Sequence, residues 1–162
     1  MLSNFLTFLI INGFWDIHLG MENNLKLIDC VNAVAEFHDS FGIPNKYSPI
    51  ATIEDSLIDL RFRLMAEENE EYLEAAKSGN LVEVADALGD MMYILCGTIL
   101  SHGMQHKIEE VFEEIQRSNM SKLGEDGQPI YREDGKVLKG PNYFKPNIKK
   151  IIGWFLGEFL LW

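Results

Sequence analysis

Two consecutive segments decide the fold: Ile53 to Ser78 (IEDSLIDLRFRLMAEENEEYLEAAKS) and Leu81 to His102 (LVEVADALGDMMYILCGTILSH). Advancing about 100° per residue along the first places Leu57, Leu60, Leu64, Glu68, Glu71 and Ala75 on one stripe. A second apolar stripe holds Ile58, Phe62, Met65, Tyr72 and Ala76, and the outward face holds Asp59, Arg63, Glu70, Glu74 and Lys77. Glu70 and Glu74 therefore read as solvated. Glu68 and Glu71 continue a stripe of leucines, with Glu67 at its border. The second segment is apolar around most of its circumference, which predicts a buried helix. Yet Glu83, Asp86 and Asp90 share one narrow stripe of it. Acids on a buried helix are costly unless paired or metal-bound, and no Lys or Arg occurs between Lys77 and Lys107.

The break between the segments, Ser78-Gly79-Asn80, is short, so the two helices should be antiparallel neighbours. At about 1.5 Å per residue, Glu71 and Glu68 lie roughly 12 and 16 Å from the turn, and Asp86 and Asp90 roughly 10 and 16 Å. These four acids are level in pairs. Facing carboxylates attract hard cations such as Mg²⁺ or Mn²⁺. Plainer readings stand beside this one. A run such as Glu67-Glu68-Asn69-Glu70-Glu71 is commonly a solvated helix face. Glu83, three residues after Asn80, fits a capping-box-like pair. His102 and His106 have metal-like spacing, but Gly103 lies between them and no His-Glu-x-x-His is present.

Outward from this pair, Leu25 to Phe41 has helical spacing through Leu27, Val31, Val34 and Phe37, and Gly42 and Pro44 end it. Asn45 to Ala51 reads as a loop and Thr52 as the N-cap of the helix that follows. A shorter helix is predicted over Lys107 to Met120. Beyond it, glycines and prolines punctuate the chain, and Asp134-Gly135 within Ile130 to Leu138 suggests a small hairpin. The fold class is all-α: a bundle of four to five helices with an extended C-terminal arm carrying that hairpin.

The 162 residues suffice for one core. A net charge of −11 argues against a nucleic-acid partner, which needs a basic surface. Cys30 and Cys96 fall in apolar helical patterns and read as two buried free thiols, consistent with a reducing, cytoplasmic setting. Phe5 to Trp15 is strongly apolar, too short to span a bilayer and without basic residues before it, the first being Lys26. The expected organisation is an apolar extension over 1–20 outside the domain, a domain over 21–147, and an apolar tail over 148–162. No stable membrane insertion is expected, although the apolar ends leave membrane association as a rival reading.

The motif Glu67-Glu68-x-x-Glu71, the Gly79 break, Glu83-x-x-Asp86 and Leu88-Gly89-Asp90 resemble the all-α nucleoside triphosphate pyrophosphohydrolases. That superfamily includes MazG proteins, all-α dUTPases and dCTPases, and phosphoribosyl-ATP pyrophosphohydrolase. Ser118-Asn119-Met120-Ser121-Lys122 and Asp134-Gly135-Lys136-Val137-Leu138-Lys139-Gly140-Pro141 are similar to the phosphoribosyl-ATP-pyrophosphohydrolase-like, MazG-related branch. The resemblance spans roughly Leu27 to Pro146. It implies a helical protomer forming a homodimer or a dimer of dimers. It also implies metal-dependent cleavage of a nucleoside triphosphate between its α and β phosphates. The family's Glu-x-x-Glu maps onto Glu68 and Glu71. Its Glu-x-x-Asp is spelled by Glu83 and Asp86, whereas the context around Leu88-Gly89-Asp90 matches better but puts Ala87 where Glu is expected. Helix geometry favours Asp86 with Asp90 and leaves Glu83 open between metal ligand and helix cap. The expectation is thus Mg²⁺, with Mn²⁺ as a substitute, held by Glu68, Glu71, Asp86 and Asp90. Glu67 would orient or deprotonate the attacking water, and Asn119, Lys122, Lys136 and Lys139 would contact substrate. Surface lysines are the plainer reading of the last three. The rival functions are hydrolysis of phosphoribosyl-ATP in histidine biosynthesis and a non-catalytic helical interaction module.

Overall fold

The computed structural model describes residues 25–153. The expected extension over 1–20 and most of the apolar tail, 154–162, lie outside the described residues. Among those described there are five helices: α1 (Leu27–Ser40), α2 (Asp55–Ser78), α3 (Leu81–Ser101), α4 (Ile108–Met120) and α5 (Ile148–Ile152). No strand is formed among them, and the chain is all-α.

The helix ends follow from local chemistry. Asp29 accepts from the Lys26 backbone N–H at 2.9 Å and closes the start of α1. The helix ends before Gly42, whose φ is +68°. Helix α2 stops at Gly79, in the left-handed region at φ +72°, where glycine carries no Cβ penalty. Asn80 then accepts from the Glu83 N–H and caps α3. Thr52 does not cap α2. The chain stays extended through Ile53, which is buried, and the helix begins at Asp55 with Glu54 in the cap position and no side-chain bond. Burial of Ile53 outside the helix displaces the start by two residues.

The core is one cluster of Val31, Val34, Cys96, Ile99 and Leu100, with Cys30, Ala35, Met104 and Ile108 packed against it. It joins α1 to the C-terminal half of α3. The carbonyls left over at the end of α3 are met by the α1–α2 connection: Lys46 N–H donates to Leu100 O and Ile50 N–H to His102 O, both at 3.0 Å. Gln105 Nε2 donates to Lys46 O at 2.7 Å, and His102 Nδ1 lies 2.9 Å from Ile50 O. His102 is thus a clasp between loop and helix. Gly103 makes this approach feasible, because a Cβ there would meet Ser48 O at 2.2 Å.

After α4 the arm folds back. Ser118 Oγ donates to Phe144 O at 2.8 Å, Gly140 N–H to Lys122 O at 2.9 Å, and Asn147 N–H to Glu114 Oε1 at 2.7 Å. The expected hairpin is present in reduced form as a single antiparallel bridge, Tyr131 to Val137, turned at Gly135 with φ +83°.

One expectation fails. Helix α3 is not buried all round. Its buried residues are Ala87, Cys96, Gly97, Ile99, Leu100 and Ser101. Toward its N-terminus Leu81 and Val82 are 78% and 75% exposed, and Phe62, toward the other end of the hairpin on α2, is 73% exposed. By length and apolar composition α3 would also suffice to cross a membrane. Here it packs on α1 and α2 instead, and the described chain covers only one side of it.

Candidate active site

Helices α2 and α3 form an antiparallel seam whose register is fixed at both ends. Near the core, Arg61 Nε donates to Ser101 Oγ at 3.2 Å, and a Cβ on Gly97 would lie 2.9 Å from Arg61 Nη1. Near the turn, Ala75 and Glu83 line the same hollow. Two turns from the Arg61–Gly97 level, Glu68 comes level with Asp90, and Glu71 with Ala87 beside Asp86.

Glu68 is the centre of the arrangement. It is half-buried, and its Oε2 is fully shielded with no hydrogen-bond partner among the described residues. Its pKa is pushed up, first by burial and then by the charges of Glu71, Asp90, Asp86 and Glu67. Those four acids are exposed. Glu83 is absent from the charges acting on Glu68. Its N–H is capped by Asn80, and its side chain lines a hollow of about 520 Å³ with Glu71, Glu74, Ala75 and Ser78. Glu70 and Glu74 are exposed, as read from the sequence. The expectation that Asp86 and Asp90 are buried is not met, because the flank of α3 that carries them is uncovered in the single chain.

Among the described residues the ion pairs are Lys107–Glu110, Arg117–Glu114 and Arg132–Asp134, none of them in the seam. A shielded carboxylate oxygen without a donor, four further carboxylates in Coulombic reach and no paired cation form an all-oxygen donor set suited to a hard divalent cation. Among the described residues, no three His, Cys, Asp or Glu side chains close on one metal position. The chemistry of the donors fits such an ion, while the side chains stand apart.

The expected substrate contacts lie elsewhere in the chain. Lys122 Nζ donates to Asn119 Oδ1 at 2.8 Å, and Lys139 Nζ lies 4.4 Å from the centre of the Tyr143 ring. Lys136 is exposed beside the Gly135 turn, with its N–H bonded to Asp134 Oδ1 at 3.1 Å. The bond from Gly140 to Lys122 brings Asn119, Lys122 and Lys139 to one part of the arm, away from the α2–α3 pairing. A second hollow, about 530 Å³, opens between α4 and α5, but Lys107, Glu110, Glu114 and Arg117 in its wall are engaged in the ion pairs above.

Sequence reading passed over Arg61. It stands seven residues before Glu68, on the side of α2 that faces Gly97 and Ser101. That spacing was the available signal, and it was obscured by Arg63, whose outward position makes the Arg-Phe-Arg segment look solvated.

The family match gives the class, an all-α pyrophosphohydrolase family acting on phosphoric anhydrides. The sequence profile of the phosphoribosyl-ATP pyrophosphohydrolase family matches residues 34–119, more than half of the chain, and the chain belongs to that family. The matched span holds the end of α1, the whole α2–α3 hairpin and most of α4. A solved structure from Exiguobacterium sp. 255-15, described as a candidate NTP pyrophosphohydrolase, is similar at 24% identity. The match covers 81% of this chain and 98% of that one, with a TM-score of 0.45. No curated protein matches the chain.

Proposed function

We propose that this chain is a Mg²⁺-dependent nucleoside triphosphate pyrophosphohydrolase that releases a nucleoside monophosphate and pyrophosphate, serving the upkeep of the nucleotide pool in the cytoplasm. The observation that carries the reading is the shielded, unpartnered Oε2 of Glu68 among Glu67, Glu71, Asp86 and Asp90. Glu68, Glu71, Asp86 and Asp90 would hold the cation, with Mn²⁺ able to replace Mg²⁺. A bound cation supplies charge neutralisation for the phosphates and activation of water. The chain's own part is to orient the triphosphate and the water, and positioning carries most of such a reaction. Glu67, exposed beside Glu68, accepts the proton of the attacking water. The new bond joins the water oxygen to the α phosphorus, and the bond to the bridging oxygen breaks to free pyrophosphate.

The exposed apolar residues flanking the seam support a homodimer, or a dimer of dimers. Leu81 and Val82 beside the turn and Phe62 toward the start of α2 are large apolar residues left exposed in the single chain, and such residues are covered in an interface. In such an assembly the end of α4 and the arm of a second copy would supply Asn119, Lys122, Lys136 and Lys139 to the phosphates. The functional domain is assigned to residues 21–147.

The test is a screen of pyrophosphate and orthophosphate release with Mg²⁺ across the nucleoside triphosphates, with phosphoribosyl-ATP alongside. Pyrophosphate release from one or more nucleoside triphosphates is expected. Turnover of phosphoribosyl-ATP alone would assign the chain to the family's other reaction, and no turnover of any of them would leave a non-catalytic helical module.

A further inference from the structure

Helix α2 carries Glu68 and Glu71, yet among the described residues it adds nothing to the core cluster, and its one buried residue is Ala75 beside the turn. Apolar contact is non-directional. The Gly79 turn and Ala75 therefore hold one end of α2, and the far half can slide along α3 unless a directional contact stops it. The contact that stands there is polar.

Five side chains make it. Arg61 Nε donates to Ser101 Oγ at 3.2 Å, and Arg61 Nη2 lies 3.4 Å from Nε2 of His38, itself only 2% exposed. His38 Nδ1 lies 2.7 Å from Asn45 Oδ1, and Asn45 Nδ2 donates to Asp39 Oδ1 at 3.2 Å. A guanidinium only donates, so His38 Nε2 accepts, and Nδ1 carries the proton and gives it to Asn45. The third guanidinium nitrogen lies against Gly97, where a Cβ would come within 2.9 Å of Nη1 and 3.2 Å of His38 Nε2. The fork of Arg61 is thus taken up inside the packing of α1, α2 and α3.

Its partners there are neutral. Burial pulls the Arg61 pKa down, and no carboxylate acts on it among the described residues. Taking a cation from water against neutral partners is costly, and an apolar side chain of similar size often serves stability as well or better. What such a polar contact supplies is register, as a single polar residue does in a helical seam. Register matters two turns further on. A slip of one residue between α2 and α3 moves Glu68 about 1.5 Å from the level of Asp90, whereas metal–donor distances hold to about 0.2 Å.

We infer that Arg61 is a positioning residue for the acid seam: clamped to His38 and Ser101, it holds α2 against α3 in the register that sets Glu68 level with Asp90. This inference rests on the proposed pyrophosphohydrolase reading. The test compares the wild-type full chain with Arg61→Met, which keeps an unbranched stem, in Mg²⁺ affinity by calorimetry and in metal-free melting by circular dichroism. Arg61→Met should bind Mg²⁺ at least about tenfold more weakly, as loss of an outer partner of metal ligands does, while its metal-free melting temperature stays at or above that of wild type. That combination separates positioning from support, because removing a strut lowers stability. Arg61→Lys, able to reach one of the two partners, should fall between the two in affinity. His38→Gln and His38→Leu test the same clamp with the charge left in place: the first keeps a neutral acceptor and the wild-type affinity, and the second loses both. Unchanged Mg²⁺ affinity in Arg61→Met, a lower melting temperature in that variant, or equal affinities in the two His38 variants would overturn the inference. If wild type binds no Mg²⁺, the metal assignment of the proposed function falls, and the register is judged by nuclear Overhauser contacts between Leu64 and Ile94, three residues inward from Arg61 and Gly97. Their loss in Arg61→Met upholds the clamp, and their persistence overturns it.

Discussion

Glu68 lies half-buried, with one oxygen shielded and four carboxylates acting on it, so its ionised form is opposed by both burial and charge. A carboxylate whose folded pKa is raised binds more protons in the native than in the unfolded state between the two pKa values. Its contribution to stability is therefore highest below the ordinary glutamate range and falls as pH rises through the raised value. At neutral pH the metal-free protein carries that penalty, and a divalent cation relieves it. Glu68→Gln should raise the melting temperature of the metal-free protein at neutral pH, flatten its decline above the ordinary glutamate range, and reduce the stabilisation given by Mg²⁺. Calorimetric melts across pH with EDTA and with Mg²⁺ check all three. The role of Glu68 was legible because an acid in a leucine stripe breaks the pattern. Arg61 was not, because its bonds run to His38 in another helix and to Ser101 forty residues away, which no local period reports.

At the scale of elements, the helices and the break at Gly79 were legible, since apolar period and left-handed glycine are local properties. The start of α2 was not. Thr52 is a good cap by type, but Ile53 is drawn into the core before the helix begins. The α3–α4 turn depends on a contact equally invisible to local reading, the approach of Gly103 to Ser48. With φ at +64° and Ser48 O at 2.2 Å from a built Cβ, Gly103→Ala meets both backbone strain and a clash with backbone. It should destabilise the fold by more than about 1 kcal/mol, which denaturant melts would measure, while Gly89→Ala, with open space around its Cβ, should not.

For the whole molecule, the apolar circumference of α3 predicted burial, and the single chain delivers it only where α1 and α2 cover the helix. The homodimer proposed above would cover apolar residues that the single chain leaves exposed, Leu81 and Val82 beside the turn and Phe62 toward the start of α2. This is also why Asp86 and Asp90 were expected inside and are found exposed, since periodicity marks which faces are apolar but not which chain covers them. Light scattering on the eluting protein should give a dimer or tetramer. Phe62→Glu and Leu81→Glu, which place charge at these positions, should shift it toward monomer with helix content retained. A wild-type monomer at micromolar concentration would remove the interface.

The central claim is that the seam acids hold the cation that drives cleavage between the α and β phosphates. It is tested most directly by following the phosphorus-31 spectrum of a nucleoside triphosphate with Mg²⁺, comparing wild type with Glu71→Ala and Asp86→Ala. The predicted result is nucleoside monophosphate and pyrophosphate from wild type, with turnover lower by at least about 100-fold in each variant, since even removing outer partners of metal ligands costs about 10–100-fold. Nucleoside diphosphate and orthophosphate as products, or wild-type turnover in either variant, would contradict it.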